Sequence, residues 1–312
     1  MKENKPHLLA VDDEEINLEI MSEYLEDADY SYELASSGEE AWNKLVYAPN
    51  AFDVILLDRM MPHLDGIELL QRIRKHPDLY SVPVVLQSAC ALTEDVLEGL
   101  KAGASYYISK PYHAEELLAV IKAALNERYN FKKLQDALLE VGETGFTGEE
   151  HFKCHDLQDA FQLAINIAKL CEDSEKVAVG IYELLVNAIE HGNLGIHYNE
   201  KTSLLLAETW GEEIQRRLQL PHNQDKYVDV LLQRENSTLK VCIKDQGEGF
   251  DWVKYLDCVF DPEAGRLGRG VAISRSLHFD KLEYVGRGNE VLVVVEHCFM
   301  KQDSQNQYAN PS

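Results

Sequence analysis

Along the first 125 residues, short apolar runs alternate with stretches whose apolar residues recur at helical spacing. The runs are HLLAV (7–11), YELA (32–35), DVILLD (53–58), VPVVLQ (82–87) and SYYI (105–108), and the periodic stretches fall at 15–25, 38–45, 67–73, 94–100 and 114–125. Apolar runs without strict alternation mark strands covered on both faces, and the longer period marks amphipathic helices. The pattern therefore predicts an α/β domain over 1–125 built on a mainly parallel, doubly wound sheet. Ligand chemistry in such a sheet belongs at the carboxyl ends of its strands.

Residues 126–150 read as a helical connector. Phe131, Leu134, Leu138 and Val141 form an apolar stripe, and the glycines and acids of GETGFTGEE (142–150) break it. The stripe could pair with a second copy, giving a homodimer, or lie on its own domain. A second domain over 151–300 starts with a short strand near Phe152, followed by helices at 157–170 and 174–191. A charged helical insertion at 201–218 comes next, bounded by Pro221, and the whole segment 197–226 is a partner surface, a dimer surface or padding. Two strands, VDVLLQRE (228–235) and TLKVCIKD (238–245), flank Asn236-Ser237 as in a hairpin. The alternating run KLEYVGRGNEVLVVVEH (281–297) completes an α/β sandwich with a mixed or antiparallel sheet. Residues 301–312 are polar and read as a disordered tail.

Composition narrows the partners. Acidic residues number 54 against 30 basic, a net charge of −24. No basic block interrupts that excess, so neither nucleic acid nor anionic membrane is an expected partner. No apolar stretch has the length of a membrane span or a signal sequence, which predicts a cytoplasmic protein. The 6 cysteines are scattered singly with no C-x-x-C pair, and are expected to be reduced, buried small hydrophobes.

Chemistry collects first at the strand ends of the amino-terminal domain. Asp12-Asp13 follow the first run, Asp58 ends the third, Ser88 follows the fourth, and Lys110-Pro111 lie just past the fifth. Crowded carboxylates repel, and a hard cation such as Mg²⁺ relieves that repulsion. An ammonium and a hydroxyl beside them suit an incoming phosphoryl group. This constellation, with DRMMPHLDG (58–66), resembles the response-regulator receiver family over about residues 5–125. The resemblance implies that Asp58 is the phosphoacceptor and that Asp12, Asp13 and the Met60 backbone carbonyl join it in binding Mg²⁺. It further implies that Ser88 and Lys110 contact the phosphoryl oxygens and that Tyr107 is the aromatic switch residue. The upstream partner would be a histidine kinase or phosphotransfer protein.

A second group of motifs follows. In IYELLVNAIEHGN (181–193), Glu183, Asn187 and Glu190-His191 recur at helical spacing, offering a base and a neutral oxygen ligand for Mg²⁺. KDQGEGFD (244–251) places Asp245 at a strand end, with Gly247 and Gly249 permitting close approach to the backbone. GRLGRGVAISRSL (265–277) is a Gly-rich turn entering a helix, suited to phosphate, with Arg266 and Arg269 adding charge. In this order the motifs resemble the GHKL ATP-binding module of histidine kinases, gyrase, Hsp90 and MutL over about residues 150–298. Within that group, E-L-L-V-N-A-I-E-H-G (183–192) and the short lid between Asp251 and Arg269 look most like the bacterial anti-sigma-factor serine kinases. The resemblance implies ATP and Mg²⁺ as cofactors. Asn187 would hold the metal, His191 would join the nucleotide-binding residues, Asp245 would read the adenine amino group, and Gly247 and Gly249 would line the adenine pocket. Gly268 and Gly270 would bind phosphates, and Glu183 would be the general base.

His155 in CHDLQDA lies only about thirty residues before Asn187, too few for a separate phosphoacceptor hairpin; it is expected beside an N-capping Asp156. These readings together imply a response regulator whose receiver controls an ATP-dependent serine kinase acting on an anti-sigma antagonist or another sigma-factor regulatory protein. The alternative is a nucleotide-dependent anti-sigma or adaptor module that sequesters its partner without transferring phosphate. A third possibility, an ATP-driven clamp, lacks a further transducer domain.

Overall fold

Strands β1 (His7–Val11), β2 (Ser31–Ala35), β3 (Val54–Asp58), β4 (Val84–Ser88) and β5 (Tyr106–Ser109) form one parallel sheet in the order β2-β1-β3-β4-β5. The computed structural model describes residues 5–28, 30–89, 93–140, 148–207, 209–252 and 279–298. Alternate residues of each central strand serve two cores. Leu9, Val11, Ile55, Leu57, Val84 and Leu86 pack on one face, and Leu8, Ala10, Val54, Leu56, Val85 and Ile108 on the other. That double burial is why these strands read as unbroken apolar runs. The helices that cover them are α1 (Glu15–Asp27), α2 (Gly38–Tyr47), α3 (Gly66–Lys75), α4 (Thr93–Lys101) and α5 (Ala114–Glu140). The arrangement is a flavodoxin-like doubly wound sheet.

Helix α5 is a single 27-residue helix that extends well past the first apolar period. Lys132 pairs with Asp53 at 2.7 Å, Arg128 donates to Ser81 at 2.8 Å, and the Phe131 ring meets Tyr80 edge-on at 5.9 Å. Phe131, the first member of the connector stripe, is thus covered by its own chain. Four residues on from Phe131, Gln135 donates to Glu175 at 3.1 Å.

The described residues of Met1–Lys133, Leu194–Asp225 and Asp251–Leu277 form one compact unit, and those of Leu134–Asn193, Lys226–Phe250 and His278–Ser312 form the other. In the second unit, β6 (Gly148–Cys154), β7 (Val228–Glu235), β8 (Thr238–Lys244), β9 (Lys281–Val285) and β10 (Glu290–Val295) form an antiparallel sheet of order β6-β7-β8-β10-β9. Burial alternates along β7 to β10, as a one-faced core requires, and the β7–β8 turn holds Asn236 at φ 56°. Helices α6 (Leu157–Ala168) and α7 (Ser174–Asn187) supply the second layer. Asp156 caps α6 by accepting from Gln158 and Asp159 N–H at 2.9 Å, while Asp159 accepts from His155 N–H at 2.9 Å. Reciprocal bonds of this kind satisfy the free amides of a helix start.

Two short helices, α8 (Tyr198–Leu206) and α9 (Trp210–Leu218), occupy the charged insertion, where the sequence pattern predicts one helical stretch. Arg217 ties them together, pairing with Glu200 and Glu213 and donating to the carbonyls of Leu194 and Gly195. No helix among the described residues is long and apolar enough to cross a membrane.

The turn from β3 into α3 is set by one close approach. A Cβ on Gly66 would lie 2.2 Å from the Asp58 carbonyl oxygen, and Gly66 N–H donates to the Arg59 carbonyl at 3.0 Å. Gly66→Ala is therefore expected to destabilise the protein by about 3 kcal/mol, measured by urea unfolding, through forced displacement of the strand end.

Candidate functional site

The sheet order makes β1 and β3 neighbours, and the crevice at their carboxyl ends is where the winding direction reverses. Asp12 and Asp58 project there and are buried, at 0% and 5% exposure. Lys110 binds both: its Nζ is 2.5 Å from Asp12 Oδ2 and also pairs with Asp58 Oδ1. The other Asp58 oxygen accepts from Met60 N–H at 2.7 Å. Asp12 Oδ1 accepts from Glu14 N–H and Asn17 Nδ2, both at 3.0 Å. Burial pushes the Asp58 carboxyl above the usual carboxylate range, and Lys110 offsets only part of that. Burial also disfavours the Lys110 charge, but Asp12 and Asp58 more than offset it and hold the ammonium above its ordinary pKa.

Ser88 is buried at the end of β4, and its carbonyl accepts from Lys110 N–H at 2.8 Å. Tyr107 is buried in the core on β5. Asp13 is exposed beside Asp12, and Met60 is exposed beside Asp58. Among the described residues, no three His, Cys, Asp or Glu side chains gather as a metal cluster. The fit to Mg²⁺ rests instead on two convergent carboxylates, which is enough for an ion that keeps several of its waters.

Sequence reading missed two partners of this site. Arg59, next to Asp58, pairs with Asp95 and, at 2.5 Å, with Glu98, both on α4. Gln87 is fully buried one position before Ser88 and takes the Tyr112 hydroxyl as a hydrogen-bond donor. Each pairing joins residues far apart in the chain, and no local spacing encodes it.

In the second unit, Glu183 and Asn187 are half-buried one turn apart on α7. The helix then widens into a π segment, Ala188–Asn193. Its larger turn departs from the uniform helical spacing expected of this region, and Glu190 is fully buried while His191 faces solvent. The wide turn also delivers Asn193, whose Oδ1 accepts from Gln246 N–H at 2.8 Å and whose carbonyl accepts from Lys226 at 2.6 Å.

Asp245 lies just past β8, against this segment. A Cβ on Gly192 would sit 2.3 Å from Asp245 Cγ, and one on Gly247 would sit 2.3 Å from the Gly192 carbonyl oxygen. Asp245 Oδ1 accepts from Gly247 N–H at 2.7 Å, and its carbonyl accepts from Asn289 at 2.8 Å. Arg287 donates to the Gly247 carbonyl at 3.0 Å. Gly249, at φ 80°, brings the chain against the Arg287 carbonyl. Burial raises the Asp245 carboxyl, with the Gly247 N–H and Arg287 opposing. An oriented carboxylate accepts an amino donor such as that of adenine, so these residues fit the adenine end of ATP. Gly192, Asn193, Lys226, Arg287 and Asn289 were not singled out from the sequence. Arg266, Gly268, Arg269 and Gly270, the expected phosphate-binding turn, lie outside the described residues.

Comparison with known proteins finds two successive family matches along the chain, the second of which includes the described residues of 194–225 and 251–277 that pack with the first compact unit. A family model described as a response regulator receiver domain matches residues 8–122, and one described as a histidine kinase-like ATPase domain matches 155–295. The transcriptional regulatory protein RprY of Bacteroides fragilis is 35% identical over 146 residues, 47% of this chain and 60% of RprY. The protein ycf27 of Guillardia theta, named a probable transcriptional regulator, is 31% identical over 238 residues, 76% of this chain and 84% of that protein. The chemotaxis protein CheY4 of Vibrio cholerae is 32% identical, with 39% of this chain and 100% of that one covered at a TM-score of 0.37. The chain spans 60% of RprY, and 28%, 55% and 54% of three further relatives.

Two outcomes are expected from this geometry. Because the folded pKa of Asp58 is raised, its ionisation removes stability as pH climbs through that pKa. Asp58→Asn should therefore melt higher than wild type at pH 7, with the gap closing as pH falls toward the unfolded carboxylate value. Gly192→Ala should displace Asp245 and weaken ATP binding by at least about tenfold in titration calorimetry, with the circular dichroism spectrum unchanged.

Proposed function

We propose, from the premise that this chain belongs to the response regulator family and carries a histidine kinase-like ATPase domain, that phosphorylation of Asp58 controls an ATP-dependent protein serine kinase. The observation that carries this reading is helix α5. It starts four residues past Lys110, is anchored by Lys132 to Asp53 in the first unit, and supplies Gln135 to Glu175 of α7 in the second. Glu183 and Asn187 sit further along that same α7.

Each residue has a defined task. Lys110 and Ser88 would neutralise and orient the phosphoryl group on Asp58, and Asp12, Asp13 and the Met60 carbonyl would hold Mg²⁺ beside it. Phosphorylation adds charge where Lys110 now bridges two carboxylates, so that bridge must rearrange. The change would reach Tyr107 on β5 and then α5. In the ATPase domain matched over 155–295, Asp245 with Gly247 and Gly249 would orient adenine, His191 would contact the nucleotide, and Gly268, Gly270, Arg266 and Arg269 would hold phosphates. Asn187 would hold Mg²⁺, which would supply charge neutralisation on the phosphates. Glu183 would take the proton from a serine hydroxyl of the partner. That partner, by family likeness, is an anti-sigma antagonist or another sigma-factor regulatory protein, and the donor to Asp58 is a histidine kinase or phosphotransfer protein. The names of RprY and ycf27 speak of transcription, whereas here the segment after the receiver matches an ATPase.

The test is incubation with ATP, Mg²⁺ and such an antagonist, with and without beryllofluoride on Asp58. Acid-stable phosphoserine on the antagonist is expected, altered several-fold by beryllofluoride and absent in Glu183→Ala. Nucleotide-dependent capture of the partner without any phosphate on it would instead assign the domain to sequestration. Rates indifferent to beryllofluoride and to Asp58→Asn would remove the control by the receiver.

A further inference from the structure

Four cysteines lie among the described residues, and none of them is in a disulfide. Two of them meet. The Sγ atoms of Cys171 and Cys298 are 3.2 Å apart although 127 positions separate them in sequence. Cys171 lies in the turn between α6 and α7, Cys298 follows β10, and the two residues form an isolated antiparallel bridge. Residues facing each other in such a pair have Cα atoms about 4.5–5.5 Å apart, within the span a disulfide joins. The backbone around them is fixed. Cys298 N–H donates to the Ser237 carbonyl at 2.8 Å, and Glu172 N–H donates to the His297 carbonyl at 3.3 Å.

The electrostatics separate this pair from the other thiols. Burial pushes Cys154 up to about 12 and Cys242 up to about 11, so neither carries much thiolate at neutral pH. Cys298, in contrast, is held below its ordinary value by the hydrogen bond from Cys171, with burial opposing and Arg234 assisting. Donating that bond, together with burial, raises Cys171; Asp280 opposes ionisation of both sulfurs.

We propose that Cys171 and Cys298 form a reversible dithiol–disulfide site whose oxidant is a small peroxide. The Cys298 sulfur attacks one oxygen of hydrogen peroxide, the O–O bond breaks, and a sulfenic acid and one water result. The Cys171 sulfur then attacks the sulfenyl sulfur, the S–O bond breaks, and the second water leaves as the disulfide forms. The two thiols supply the two protons and two electrons that reduce one peroxide to two waters. The bond fastens the turn that leads into α7, the helix of Glu183 and Asn187, to the end of the sheet.

The test is treatment of the full chain with hydrogen peroxide, followed by alkylation, digestion and mass spectrometry. The expected result is loss of two of the 6 thiols, a Cys171–Cys298 linked peptide, and full reversal by dithiothreitol. In Cys171→Ser, which keeps a hydrogen-bond donor beside Cys298 but has no sulfur to resolve it, dimedone should instead trap sulfenic acid on Cys298. Three results would each overturn the proposal: both residues remaining alkylatable, either being joined to a different cysteine, or Cys298 passing to sulfinic acid while Cys171 stays free. The linked peptide is read from wild-type protein, so its presence or absence decides the matter even where a variant fails to fold.

Discussion

Two buried carboxylates on neighbouring strand ends, held by one ammonium, set the terms for the receiver unit. Asp12 and Asp58 could not share a dry crevice without Lys110, because each charge would face the other with little water to screen it. The parallel order brings β1 beside β3, and the segment after β5 returns the lysine to the same edge. Burial still leaves Asp58 with a raised pKa. Asp58 is therefore held in an environment that resists its charge, and any group entering there must compete with Lys110 for it.

The second unit solves a related problem with glycine. Asp58 tolerates the close return of the chain only because Gly66 has no side chain, and Asp245 tolerates the π segment only because Gly192 has none. In both places a carboxylate at or just past a strand end is fixed by backbone packed against it and by a backbone N–H two residues on, from Met60 in one case and Gly247 in the other. The parallel and antiparallel sheets share little else.

Much of this was legible in the sequence. Double burial of β1, β3 and β4 wrote apolar runs, one-faced burial of β7 to β10 wrote alternation, and Asp12, Asp58 and Lys110 stood out because strand ends are easy to locate. What escaped is non-local. Arg59 meets α4 across 36 to 39 positions, and Cys171 meets Cys298 across 127, so scattered single cysteines read as inert. The π segment escaped for a different reason: nothing in AIEHGN distinguishes a wide turn from an ordinary one until Asp245 and Gln246 are packed against it. The stripe at Phe131 was ambiguous because a helix face that meets Tyr80 looks the same in sequence as one that meets another chain.

The π segment can also be viewed as a surplus of one residue in an otherwise regular helix. Deleting a single position between Ala188 and Asn193 would close the same full turn with one residue fewer, restoring ordinary winding while the residues before and after it keep their facing. The surplus is therefore carried within the turn that buries Glu190, while Gly192 still packs against Asp245 and Asn193 still accepts from the Gln246 amide. A one-residue difference in length is thus taken up in a single turn, and the helix face that meets the segment just past β8 is kept.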